Sequence, residues 1–138
     1  MISKATCLTN CLLPQGHNAY TIYGIEEAPA SFPAAFQVPA PFGVDIGGVN
    51  PAFFAVNQEA EYDSWLSPGS DAGLTTELST IGIDFETWSD ADGLSFDNGA
   101  VFWMDPNAAP ATTTCVVAQL TVLTGENKRH TSTTAATT

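Results

Sequence analysis

Basic residues are nearly missing from this 138-residue chain: three Lys and Arg stand against fifteen Asp and Glu, for a formal net charge of −12. The three are Lys4, Lys128 and Arg129, so residues 5–127 contain no Lys or Arg at all. Nucleic-acid binding needs basic side chains to displace counterions from phosphate, which excludes that class. Attraction to an anionic lipid surface is excluded on the same ground. No apolar run approaches the ~18 residues of a membrane span, so membrane insertion is not expected. The N-terminus offers only Lys4 and the patch Cys11-Leu12-Leu13, too short and polar for a signal peptide.

Histidine is as scarce. His17 and His130 both fall in stretches that read as coil, so a serine such as that of Gly69-Ser70-Asp71 has no base beside it, and the strand-to-helix elbow of a hydrolase is missing too. The glycines of residues 43–48 come without a lysine or a following helix and make no phosphate cradle. Cysteine is limited to Cys7, Cys11 and Cys115. A zinc site would need a fourth ligand. One disulfide with one free thiol, and three reduced thiols, are both open at this level.

What the chain does have is apolar content and β-strand patterning. Hydrophobic residues make up 44% of it, ample for a core, and its length suits one domain. The organising stretch is residues 78–105. In its first half Ile81, Ile83 and Phe85 alternate with Gly82, Asp84 and Glu86, the period-2 pattern of a strand with one buried face. Its second half, residues 100–104, is aromatic and β-prone, with the turn signal Asn98-Gly99 before it. An acidic loop joins the two.

Further strands are expected over residues 19–25, 61–66 and 115–123, with an edge strand at most over 35–38, where prolines surround it. Residues 52–56 fit a strand or a single helical turn equally well. With no helical period anywhere, the pattern predicts an all-β fold, an antiparallel β-sandwich of jelly-roll or Ig-like type. The sandwich is expected over residues 19–124, after an irregular N-terminal segment at 1–18 and before a disordered Thr-rich tail or linker at 125–138.

The strongest chemical candidate is acidic. Asp90-Ala91-Asp92-Gly93 resembles the opening of a calcium loop, in which alternate carboxylates converge on a hard cation, and Asp97 would join them if the strands bring it close. An ordinary solvated turn explains the same residues. Asp84 and Glu86, two apart on one strand face, would sit about 7 Å apart and offer a glycosidase-like acid and base. Many acidic strands offer such a pair. Of the aromatics Tyr62, Trp65, Trp88, Phe102 and Trp103, half are expected in the core by default, and Trp65, Trp88 or Trp103, if it faces outward, would stack on a sugar ring or a partner protein.

Five motifs stand in order: Asn50-Pro51-Ala52-Phe53-Phe54, Glu61-Tyr62-Asp63-Ser64-Trp65-Leu66, Leu78-Ser79-Thr80-Ile81-Gly82-Ile83-Asp84-Phe85, Asp97-Asn98-Gly99-Ala100-Val101-Phe102-Trp103 and Val117-Ala118-Gln119-Leu120-Thr121-Val122. In this order they resemble a β-sandwich repeat module of large secreted or surface proteins from marine algae and planctomycete-like bacteria. The resemblance runs over about residues 20–124. It implies an extracellular or cell-surface setting and no catalytic residues. The expected function is therefore a non-catalytic structural or adhesive module whose partner is an extracellular protein or polysaccharide. The alternative is a calcium-assisted carbohydrate-binding module, and a glycoside-acting enzyme comes third. The acidic surface predicts a monomer in dilute buffer that associates when calcium is added.

Overall fold

Thr21-Ile22-Tyr23-Gly24 alternates as the sequence suggests, and it forms a strand with Ile22 and Gly24 inward and Tyr23 outward. The computed structural model describes residues 3–12, 16–69, 77–110 and 114–124. Among these are eight strands: β1 (Ser3–Leu12), β2 (Thr21–Gly24), β3 (Ala30–Phe32), β4 (Trp65–Leu66), β5 (Leu78–Ile81), β6 (Leu94–Phe96), β7 (Gly99–Trp103) and β8 (Thr114–Thr124). They form three sheets of order β1-β8-β4, β2-β7-β5 and β3-β6, and each pairing of strands is antiparallel. The all-β, antiparallel expectation holds. One core cluster draws on all three sheets, with Ile22 and Val101 from the second, Leu66, Ala118 and Leu120 from the first, and Phe32, Leu94 and Phe96 from the third.

Helical structure among the described residues is confined to 3-10 segments at Pro51–Ala55, Gln58–Tyr62, Phe85–Thr87 and Pro106–Ala108. Each starts from an Asn or Asp (Asn50, Asn57, Asp84, Asp105) whose side chain accepts the backbone N–H two residues on. A short side-chain acceptor satisfies a donor that the first turn of a helix leaves open. Residues 52–56, readable either way from sequence, thus lie mostly in a helical turn.

Several local expectations are corrected. The N-terminal segment, expected to be irregular, holds the ten-residue strand β1, paired with β8 from Ser3↔Thr124 to Leu12↔Thr114. Its partner lies at the other end of the chain, and strand formation depends on that partner more than on intrinsic preference. Leu94–Phe96, for which the sequence predicts no strand, is strand β6 beside β3. Residues 35–38 form no strand, although the Phe36 N–H donates to the Thr121 carbonyl of β8 at 2.6 Å. Over 61–66 only Trp65 and Leu66 are strand, and burial is continuous from Asp63 to Pro68 instead of alternating. The Thr-rich tail at 125–138 lies outside the described residues, as do Ser70 and Asp71.

The largest correction concerns the organising strand. It ends at Ile81, which is 67% exposed, while Leu78 and its partner Trp103 are buried. The face presented inward is therefore the one opposite to the alternation expected. Gly82 then adopts φ +72°, in the left-handed region that favours glycine. After this break Ile83 and Phe85 return to pack, half-buried, against the core. A Cβ on Gly82 would also overlap the Asn98 carbonyl oxygen. Gly82→Ala is expected to destabilise the fold by about 2 kcal/mol or more, because backbone strain and a backbone clash coincide. Urea denaturation with an unchanged slope and a lowered midpoint is the result that checks it.

Candidate functional site

The carboxylates proposed for calcium do not come together. Asp90 and Asp92 are exposed on a turn closed by Ser89, whose Oγ accepts the N–H groups of Ala91 and Asp92 at 3.1 and 3.0 Å. The Ser89 N–H in turn donates to the Asp92 carbonyl at 2.9 Å. Asp97 stands in the turn between β6 and β7, at the far end of β6 from Asp92, and five extended residues span roughly 16 Å. Among the described residues no three His, Cys, Asp or Glu gather into a group that could hold a metal ion. Asp84 and Glu86 share no strand face: Asp84 Oδ1 caps a 3-10 turn by accepting the Glu86 N–H at 3.1 Å.

The tryptophans turn inward. Trp65 and Trp88 are 3% exposed and Trp103 is 4% exposed, so none presents a ring face to a sugar. The Trp88 Nε1–H donates to the Pro33 carbonyl at 2.8 Å, and the Trp103 Nε1–H donates to that of Pro68. A buried indole needs an acceptor for its one donor, and loop carbonyls supply it. Phe32 meets Trp88 at 6.3 Å and Phe96 at 6.4 Å between ring centroids, within the third sheet's part of the core.

The chemically unusual group is one the sequence did not single out. Asp63 has no exposed surface. Its Oδ1 accepts the Val38 N–H at 2.9 Å, its Oδ2 accepts the Val44 N–H at 2.6 Å, and the Ser64 N–H adds a third bond. One carboxylate thus closes the segment between Val38 and Val44, in which Ala40–Pro41 is cis. The Gly43 N–H donates to the Pro39 carbonyl at 3.1 Å, and a Cβ on Gly43 would overlap the Val38 carbonyl. On the other side, Gln119 Nε2 donates to the carbonyls of Glu61 and Asp63 at 3.0 and 2.7 Å, and the Thr121 N–H donates to Ser64 Oγ at 3.0 Å. Residues 63 and 64 therefore tie a proline-rich loop to β8. In sequence Asp63 sits among ordinary alternating residues, and only its spatial neighbours distinguish it.

Burial pushes the Asp63 carboxyl up to about 7; the N–H groups of Val38, Val44 and Ser64 oppose the rise, and the nearby charge of Asp45 adds to it. Asp45 is raised as well, by desolvation first and by the charge of Glu86 second. No Lys or Arg occurs between residues 5 and 127.

Two kinds of surface feature stand out among the described residues. A depression of about 280 Å³ is lined by Val49, Pro51, Phe54, Glu61, Trp65 and Gln119 among others, and a second, of about 490 Å³, shares Phe54 and Glu61 with it. The other feature is the outer face of the β2-β7-β5 sheet. Tyr23 and Ile81 both pair with Ala100, so the three form one row across it, and Phe102 lies on the same face of β7.

Removing the Asp63 acceptor strands the buried Val38 N–H and the partly buried Val44 N–H, and a buried donor left unpaired costs about 1–3 kcal/mol, so Asp63→Ala should cost about 2 kcal/mol or more. Asp63 also sets a pH dependence. The folded chain keeps its proton up to about 7, whereas an unfolded Asp releases it near 3.9. Its titration thus favours folding fully below about 4, and that contribution is lost as pH rises to 7. The melting temperature of the wild type, relative to Asp63→Asn, should fall across this window and level off above it. A constant difference from pH 4 to pH 8 would contradict the assignment. No protein-family model, curated protein or solved structure matches this chain.

Proposed function

We propose that this chain is a non-catalytic interaction module of an extracellular or surface protein, which binds another protein through the outer face of the β2-β7-β5 sheet. The observation that carries the reading is the row Tyr23–Ala100–Ile81, with Phe102 beside it: Tyr23 and Ile81 are exposed large apolar groups on one face of a three-stranded sheet. Contiguous exposed apolar surface is the usual mark of a contact region. The net charge of −12 works with it by keeping copies apart until the charge is screened or bridged. In this reading the sheets stack as a β-sandwich, supported by the core cluster they share. The extracellular setting rests on the resemblance to repeat modules of secreted proteins.

Calcium-assisted carbohydrate binding takes second place. With Trp65, Trp88 and Trp103 internal, it falls back on the depressions at Phe54 and Glu61, where an aromatic ring meets polar groups.

Sedimentation velocity separates the readings. With millimolar calcium the wild type should associate, more than in sodium chloride of equal ionic strength, and Ile81→Glu should abolish this while leaving the melting temperature within about 2 °C, as expected for an exposed site. Retention on alginate in calcium, unaffected by Ile81→Glu, would favour the carbohydrate reading. A wild type that stays monomeric and unretained in both salts would remove the adhesive role.

A further inference from the structure

β1 and β8 pair in a single register from Ser3↔Thr124 to Thr9↔Ala118, and the register then slips by one residue. Asn10 faces Val116, Cys11 faces Cys115 and Leu12 faces Thr114, which leaves Val117 as the extra residue of a β-bulge on β8. In the unslipped register Cys11 would face Val116. Cys115 would then belong to the opposite face of the sheet, because successive residues alternate. The bulge is what sets the two cysteines across from each other.

The position of this bulge is held from the other edge of β8, independently of β1. The Ser67 N–H donates to the Val117 carbonyl at 3.0 Å and the Gly69 N–H to the Val116 carbonyl at 2.8 Å. Just before them Trp65 and Leu66 of β4 pair with Gln119 and Ala118. Val117 itself is buried in the core. The β8 backbone is thus shaped by β4 and the core, and β1 adopts the register that follows.

From this juxtaposition we propose that Cys11 and Cys115 form a disulfide that staples β1 to β8 and leaves Cys7 as the remaining thiol. Directly opposed antiparallel residues have Cα atoms about 4.5–5.5 Å apart, within the range of roughly 4.4–6.8 Å that a disulfide requires. The other pairings are too far apart. Cys7 and Cys11 lie four residues apart along one strand, roughly 13 Å at the strand rise. Cys7 faces Leu120, which puts Cys115 five residues further along β8, roughly 16 Å away. The bond forms by exchange with a small disulfide such as oxidised glutathione. One protein thiolate attacks it, a mixed disulfide results, and the second thiolate displaces the small thiol. Two cysteine thiols are oxidised, one small disulfide is reduced to two thiols, and the two protons of the protein thiols go to them.

The whole chain, incubated in a glutathione redox buffer and then digested without reductant, gives the test by mass spectrometry. A cross-linked Cys11–Cys115 peptide is expected, with one maleimide-reactive thiol per unfolded chain, mapped to Cys7. The Cys7→Ser protein should keep the cross-link and show no reactive thiol. Reduction should lower the melting temperature of both proteins by roughly 10 °C, as for a staple closing a long loop, and should leave Cys115→Ser unchanged. Three reactive thiols after oxidation, a cross-link through Cys7, a cross-link between chains, or a melting temperature indifferent to reduction would each overturn the staple.

Discussion

A carboxylate withdrawn from water must find its hydrogen-bond donors within the protein, and Asp63 finds them in the backbone of Val38, Val44 and Ser64. The segment that these bonds hold contains Pro39 and Pro41 and forms no strand. Proline has no N–H to donate to a ladder, so a side-chain acceptor takes over the work that strand pairing does elsewhere. Ser64 and Phe36 secure the edge of β8 beyond the two-residue strand β4: Ser64 Oγ accepts the Thr121 N–H, and the Phe36 N–H donates to the Thr121 carbonyl. Loop, edge and core meet at this carboxyl.

The acidic composition serves two ends that look alike in sequence. Asp84 and Asp105, like Asn50 and Asn57, are engaged in capping 3-10 turns, each accepting one backbone N–H. Asp90, Asp92 and Asp97 stand exposed on turns. In a chain almost without basic side chains this second group confers a uniform surface sign, which opposes close approach of like copies. In the proposed reading, an apolar sheet face inside such a surface makes contact only once the charge is screened or bridged. Composition and the row Tyr23–Ala100–Ile81 therefore belong to one physical picture.

Register carries much of the rest. The one-residue slip of β8 at Val117 changes which residues of its N-terminal part pair with those of β1. On the other sheet, the pairing of Leu78 with Trp103 sets the inward face of β5 and leaves Ile81 outside. Neither result has a local cause, since period 2 marks a strand and says nothing of which of its two faces is buried.

The sequence by itself determined the all-β class, the strands over Thr21–Gly24 and Gly99–Trp103, and the long strand around residues 115–123. These rest on properties that belong to the residues themselves: alternation, β-branched and aromatic content, and turn chemistry at Asn98-Gly99. Only the tertiary structure decided that Ser3–Leu12 is a strand, that the organising strand stops at Gly82, that all three tryptophans are internal, and that Asp63 is buried while Asp90 and Asp92 are not. Each of these depends on a group distant in sequence: β8 for Ser3–Leu12, the Asn98 carbonyl at Gly82, the Pro33 and Pro68 carbonyls for two of the indoles, and the Val38 and Val44 amides at Asp63. A backbone donor or acceptor has no signature in the sequence, because every residue carries the same carbonyl and every residue but proline the same N–H, and only the fold brings a particular one to a particular side chain.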